Sequence, residues 1–257
     1  MSIFEIVSNL FSGPVKQDPI LRLIRSLIGL DHCFDPEYSA RGCILMKHFY
    51  FIVFLLIPMR IFSWDLEKEK NGITVHTRAV EGSELKEFRG KTKLKAALST
   101  VISLMEDNPN YVTWLKNCKQ AEAVKVLNTK EKYIYIQNGA PWPVNDRDFV
   151  IHTIFSQDKN TGAVTYTIRP IANIVAEKDG IVRGTLKGFW KFVPVGDEVE
   201  VTYQLLSEPG GRVPTSIANF VVVDIPYETL RKMKEKVTES KYINSPKHPD
   251  LILPDPK

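Results

Sequence analysis

The sequence predicts an α+β domain over residues 65–240: a curved antiparallel β-sheet wrapped around one long C-terminal α-helix, with an internal hydrophobic cavity between them. Three observations predict it. From Ile73 to Leu205, runs of alternating apolar and polar residues follow one another with short turn signals between them, the period of half-buried strands. The period becomes helical twice, early between Leu94 and Met105 and late from Ile217 to about residue 237. A sheet curled around one such helix leaves a hollow, a natural place for an apolar small molecule.

Taken in order, Ile73, Val75, Thr77 and Ala79 alternate with Thr74, His76 and Arg78 and predict the first strand. Glu81-Gly82-Ser83 turns the chain, and a second strand is expected over 85–91. Leu94, Ala97, Leu98, Val101, Ile102 and Met105 recur at spacings of three and four, giving an amphipathic helix closed by Asn108-Pro109. Tyr111 to Trp114 starts a short second helix. The period then returns to two, with strands expected over 121–127, 131–138 and 148–155 and a turn-rich stretch over 139–146. Asp158 to Gly162 is a hairpin signal, after which Val164, Tyr166 and Ile168 alternate with polar residues. Beyond a turn at 177–180, Leu186, Gly188, Trp190 and Phe192 share one strand face. Pro194 to Glu198 is expected to turn the chain into a last strand carrying Val199, Val201, Tyr203 and Leu205. After Pro209-Gly210-Gly211, Pro214 suits the first turn of a helix, and Pro226 should kink that helix by removing a backbone donor. Residues 241–257 are rich in proline and are expected to form an extended or disordered tail.

Composition excludes several functions. The 34 basic and 30 acidic residues are interspersed rather than clustered, so no nucleic-acid partner is expected, and only a weak attraction to anionic membranes is allowed. Cys33, Cys43 and Cys118 form no Cys-x-x-Cys or Cys/His cluster, so no structural metal is expected. Within the domain, Cys118 has no disulfide partner and reads as a small buried apolar residue. No nucleophile elbow, phosphate loop or dinucleotide fingerprint occurs, and no cofactor or catalytic residue is expected.

The first sixty residues stand apart. Residues 49–57, FYFIVFLLI, carry no charge, and Met46-Lys47-His48 supplies a start residue and a basic flank. The run is short for a spanning helix of about 20 residues but suits a signal-peptide core of about 7–15. Residues 46–63 are therefore expected to be a signal peptide cleaved near Ser63, which places the protein in the periplasm or outside the cell; the other readings are a retained membrane anchor and a buried core helix. Residues 1–45 would then be an N-terminal extension upstream of the true start; the other reading is a short amphipathic helix at a membrane surface.

Four short motifs resemble the START family of steroidogenic acute regulatory-related lipid-transfer domains, which has the helix-grip fold. They are Asn110 to Trp114 (NYVTW); Pro141-Trp142-Pro143-Val144 followed by Arg147-Asp148-Phe149-Val150; Val182-Arg183 with Gly188-Phe189-Trp190; and Pro214 to Phe220 (PTSIANF). They occur in the family's order, and together they cover about 65–240. Pro143, Arg147, Asp148, Arg183 and Pro214 are the structural signature residues. The resemblance implies a hydrophobic tunnel beneath the terminal helix that binds, transfers or senses a lipid, in a monomer that touches a membrane transiently. Some sterol-binding relatives place an acid and an arginine inside the tunnel; here uncharged Thr153 stands at the arginine's position and Tyr135 or Gln137 at the acid's.

Trp142, Thr153, Trp190 and Phe192 are the candidate ligand contacts from the sheet; the aromatic ones either line the cavity or fill a core. Ile217, Phe220, Val221 and Ile225 are the candidate lid residues on the terminal helix, with Pro226 and Gly210-Gly211 as places where it could move. The Asp146-Arg147-Asp148 cluster is read as tying its strand to neighbouring backbone rather than as an acid–base pair. His76 and His152 are isolated from other ligand-type residues and read as structural. Two competing readings are a helix-grip enzyme, cyclase- or hydrolase-like, acting on an apolar substrate, and a cavity-poor interaction module filled by bulky inward side chains.

Overall fold

The computed structural model describes residues 63–252, except 212 and 214, and gives only the backbone helix for 215–220. The expected extension and signal segment, Pro214, and the side chains of Ile217 and Phe220 lie outside the described residues.

Ten strands form one sheet. They are β1 (Asp65–Lys70), β2 (Ile73–Ala79), β3 (Lys86–Leu94), β4 (Cys118–Val126), β5 (Glu131–Asn138), β6 (Asp146–Gln157), β7 (Val164–Pro170), β8 (Ile181–Arg183), β9 (Thr185–Val195) and β10 (Glu198–Glu208). The order across the sheet is β1-β2-β3-β10-β9-β7-β6-β5-β4, antiparallel throughout, and β8 adds a short parallel pairing on β6. Between β3 and β4 lie α1 (Leu98–Glu106), a single 3₁₀ turn (Asn108–Asn110) and α2 (Tyr111–Trp114). The long α3 (Thr215–Lys236) follows β10, and a one-turn α4 (Ser240–Ile243) follows that.

Several expectations needed correction. Leu94 closes β3 rather than opening a helix: it pairs with Val199 and is buried in the sheet, so the ladder outweighs its helical spacing to Leu98. Pro194 lies within β9, and only Gly196-Asp197 turns; the proline sits beyond the stretch that β7 pairs, where the sheet tolerates it. β1 carries no alternation to find: Asp65 to Lys70 is charged except for Leu66, which is itself exposed, as an edge strand paired on one side is free to be. The tail is also not simply extended. Tyr242 is buried and donates to Asp107, and Gln157 brackets the Ile252 backbone, donating to its O and accepting from its N.

α3 packs on β2 and β3. Its later half is held firmly: Tyr227, Thr229, Leu230 and Met233 are buried, and Lys234 and Tyr227 engage Asn71 in the β1–β2 turn. The closest approach to the sheet is at Gly90 in β3, where an added Cβ would stand 2.8 Å from Leu230 Cδ1 and 3.2 Å from Pro226 Cβ. The missing side chain lets the helix lie on the sheet at the point where Pro226 interrupts its backbone bonding. The earlier half is held less tightly, with Val221, Val222 and Ile225 only half-buried.

Candidate functional site

Strand alternation builds the site. In β5 and β6 the facing pairs Lys132 with Thr153, Ile134 with Ile151, Ile136 with Phe149, and Asn138 with Arg147 all point toward the helices. Tyr166, Trp190, Tyr203 and Leu205 continue this face across β7, β9 and β10.

Two adjoining chambers lie between this face and the helices. The inner one, about 70 Å³, is walled by Ile134, Ile151, Trp190 and Leu205 from the sheet and by Met105 and Trp114 from α1 and α2. The outer one, about 150 Å³, lies under Val221, Val222 and Ile225 of α3 and is closed by Pro141 and Val144 of the β5–β6 loop. Phe88, Asn138, Ser207 and Ile225 belong to the walls of both and so form the partition.

Aromatic rings occupy much of the inner space. Trp190 stacks on Tyr203 with centroids 3.6 Å apart, and Trp114 meets Trp190 edge-on at 6.0 Å. Phe192 is completely buried, stacked beyond Trp190 and edge-on to Tyr166, and belongs to the core rather than to either chamber wall.

Polar groups are few and mostly partnered. At the inner end, Glu106 accepts hydrogen bonds from Lys132 at 2.8 Å and from the Tyr166 hydroxyl at 2.7 Å. Tyr111 donates to Met105 O, and burial pushes the Tyr111, Tyr166 and Tyr203 hydroxyls well up, so they stay neutral. Thr153 lines the inner chamber and donates to Lys132 O. Among the described residues of the chamber walls, three buried atoms lack a partner: Trp114 Nε1, Asn138 Oδ1 and Arg147 Nε. Burial pushes the Cys118 thiol up to about 11, which keeps it an inert apolar group. Among the described residues, no group of three His, Cys, Asp or Glu side chains could hold a metal ion.

The sequence-predicted residues divide accordingly. Thr153, Trp190, Val221 and Ile225 line the chambers. Trp142 does not: it is 93% exposed, on the loop whose Pro141 and Val144 close the outer chamber. Pro143 is exposed beside it, joined by a cis peptide bond. Tyr135 and Gln137 face the opposite side of the sheet, where Lys178 lies over the Tyr135 ring, so neither is a cavity position. Asp148 and Arg183 also lie on that outer face, bonded to each other. Arg147 and Asp148 therefore do different jobs, one turned inward and one outward. His152 is not isolated, since Glu131 lies 2.9 Å from its Nε2, but the pair is absent from both chamber walls. Gly210, expected as a hinge, has φ of 65° and packs so closely on Arg183 O that no side chain fits, which makes it a fixed point.

Sequence reasoning missed Phe88, Asn138 and Ser207, the partition residues. Their signal was strand parity, which points them inward once the pairing of β3 with β10 and of β5 with β6 is known.

A curved sheet closed by a terminal helix over apolar chambers defines a helix-grip protein. Residues 62–242 match the START domain family model, and the chain belongs to that family. An uncharacterized protein of Pseudomonas aeruginosa is 35% identical over 173 residues, 66% of this chain and 85% of that one. The STAR-related lipid transfer protein (fragment 25–204) from Xanthomonas axonopodis is 37% identical over 68% of this chain and 99% of that fragment, with a TM-score of 0.64. Human StAR-related lipid transfer protein 5 shares the fold at 14% identity, with a TM-score of 0.64 over 74% of this chain and 92% of its own.

Proposed function

We propose that the chain binds a lipid or another apolar small molecule between α3 and the sheet, for transfer, sequestration or sensing. The observation that carries this reading is the pair of apolar chambers that share Phe88, Asn138, Ser207 and Ile225 as wall residues, with Ile225 on the half-buried stretch 221–225 of α3. Their volumes fall below the roughly 300–1,000 Å³ of ordinary small-molecule sites. Loading therefore requires Ile225 and the first half of α3 to move outward, merging the chambers while the later half stays anchored. A single alkyl chain entering this space gains about 0.8 kcal/mol per buried CH₂. The relative named as a lipid transfer protein supports the reading.

Trp142 supports membrane contact during exchange, because an exposed indole at the lip of the outer chamber suits the membrane–water boundary. The apolar run at 49–57 supports action outside the cytoplasm, as a monomer delivered by a signal peptide or held by an anchor. A helix-grip enzyme remains the competing reading, with Glu106 as its candidate acid. The Glu106 carboxylate is already occupied by Lys132 and Tyr166, which favours binding over catalysis.

Native mass spectrometry with lipid extraction tests the proposal on protein purified from its own host. A stoichiometric co-purifying lipid is expected. Protein that emerges empty and fails to take up any offered lipid would sink the binding reading, and a chemically altered ligand would favour the enzyme.

A further inference from the structure

Arg147 is 7% exposed, and its side chain lines the outer chamber. Nη1 donates to Asn145 O, while Nε has no partner. Both neighbouring carboxylates are engaged elsewhere: Asp146 with Lys119, Gln137 and Ala140 N, and Asp148 with Arg183. The other cations along these walls do have carboxylates, Lys86 with Glu67 at 3.1 Å, Lys116 with Asp224 at 3.5 Å and Lys132 with Glu106 at 2.8 Å. Among the described residues, Arg147 thus carries a buried charge without an ion-pair partner, the arrangement proteins avoid because desolvation is not compensated. Burial accordingly pulls the guanidinium's pKa down, against the pull of Asp146.

Directly across the ladder is Asn138, whose Oδ1 is also buried without a partner and which lines both chambers. Turning its amide about the terminal torsion would present Nδ2 instead, a second donor beside Arg147. Around these two groups the walls are apolar, with Phe149, Val144, Pro141 and Val221.

We propose that the outer chamber holds the anionic head of a single-chain amphiphile, its carboxylate or phosphate oxygens on Arg147 and Asn138 and its chain running past Ile225 into the inner chamber. This rests on the lipid-binding reading above and adds the chemical class of the head. Guanidinium matches such oxygens because its N–H groups lie in one plane and point in parallel. The bland alternative is a buried water that bridges Arg147 Nε and Asn138 Oδ1.

The test measures equilibrium binding of the full chain to four sixteen-carbon probes at submicellar concentration: hexadecanoate, hexadecyl phosphate, hexadecanol and methyl hexadecanoate. At least one anion should bind about tenfold or more tighter than both neutral probes, the worth of one charge-assisted hydrogen bond. Preference for only one anion supports the proposal and identifies the head. Arg147→Gln should collapse the gap, and Arg147→Lys should keep part of it. Equal binding of anions and neutral probes by the wild type overturns the proposal and leaves Arg147 to a water, with the lipid reading intact. A gap that persists in a folded Arg147→Gln variant also overturns it, assigning the preference to Lys86, Lys116 or Lys132. Failure of all four probes to bind overturns the single-chain proposal, and the lipid-binding reading is then decided separately by the lipid extraction above. The wild-type series decides even where a variant does not fold.

Discussion

Arg183 donates two hydrogen bonds to Asp148, from Nε at 2.7 Å and from Nη2 at 3.1 Å, and further bonds to Val175 O and Ala176 O. Asp148 is 1% exposed, so this fork is the partner that makes its burial tolerable. It staples the 171–180 loop and β8 to the outer face of β6, behind the ladder that carries Arg147 and Ile151 on the inner face. Removing either partner should be severe. Arg183→Gln or Asp148→Ala is expected to cost about 3–5 kcal/mol, because one buried charge is left alone. Urea unfolding measures this; a loss below about 1 kcal/mol for both would show that the pair is incidental.

Gly90→Val should separate α3 from the sheet. The new side chain must displace Leu230 and Pro226, and overpacking of this kind costs roughly 1–3 kcal/mol. Hydrogen exchange should quicken along 226–236, and unchanged protection there would contradict the close approach.

Ile225→Trp should fill the partition. Lipid uptake is expected to fall by about tenfold or more, while stability changes by only roughly 1–3 kcal/mol. A folded variant that still loads normally would mean that the ligand does not pass this residue.

Acid should release the tail. Burial raises the Asp107 carboxyl, but hydrogen bonds from Lys241, Asn110 and Tyr242, with the Lys241 charge, outweigh it and hold the carboxyl below its ordinary value. A depressed carboxylate contributes stability above its unfolded pKa, about 3.9, and loses it as pH falls through the lower folded value. Protection of 240–252 should therefore weaken below about pH 4, and Asp107→Asn should weaken it at neutral pH. Tail protection that is indifferent to both changes would place its anchor elsewhere.

Trp142→Ala should reduce the chain's sedimentation with anionic vesicles severalfold. A variant that partitions like wild type would remove the indole from the membrane-contact reading.

Much of this architecture was legible in the residue pattern, and its gaps have physical causes. Alternation located β2 and β7 because one face of each is fully buried and the other only partly covered. It failed at Asp65–Lys70, where an edge strand has no apolar face to display. It misplaced Leu94 because one leucine satisfied both periods, and only its partner Val199 decides between them. The cavity as a class followed from one helix on a curved sheet. Its walls did not follow, since the inward parity of each strand depends on register: a step of one residue separates buried, outward Tyr135 from Ile134 and Ile136 on the chamber. Trp142 was misjudged because an aromatic residue beside prolines looks the same in sequence whether its loop turns it in or out.

The pairing of β3 with β10 has a consequence for how the chain is made. Residues 88–94 pair with β2 on one side, but find their partners on the other only when 199–205 have been synthesised, so the sheet's middle closes last. Contacts so distant in sequence slow folding, since the loop entropy is lost before the ladder forms. Until then β3 presents an open edge, and the nascent chain is exposed to misassembly while residues 95–198 are made.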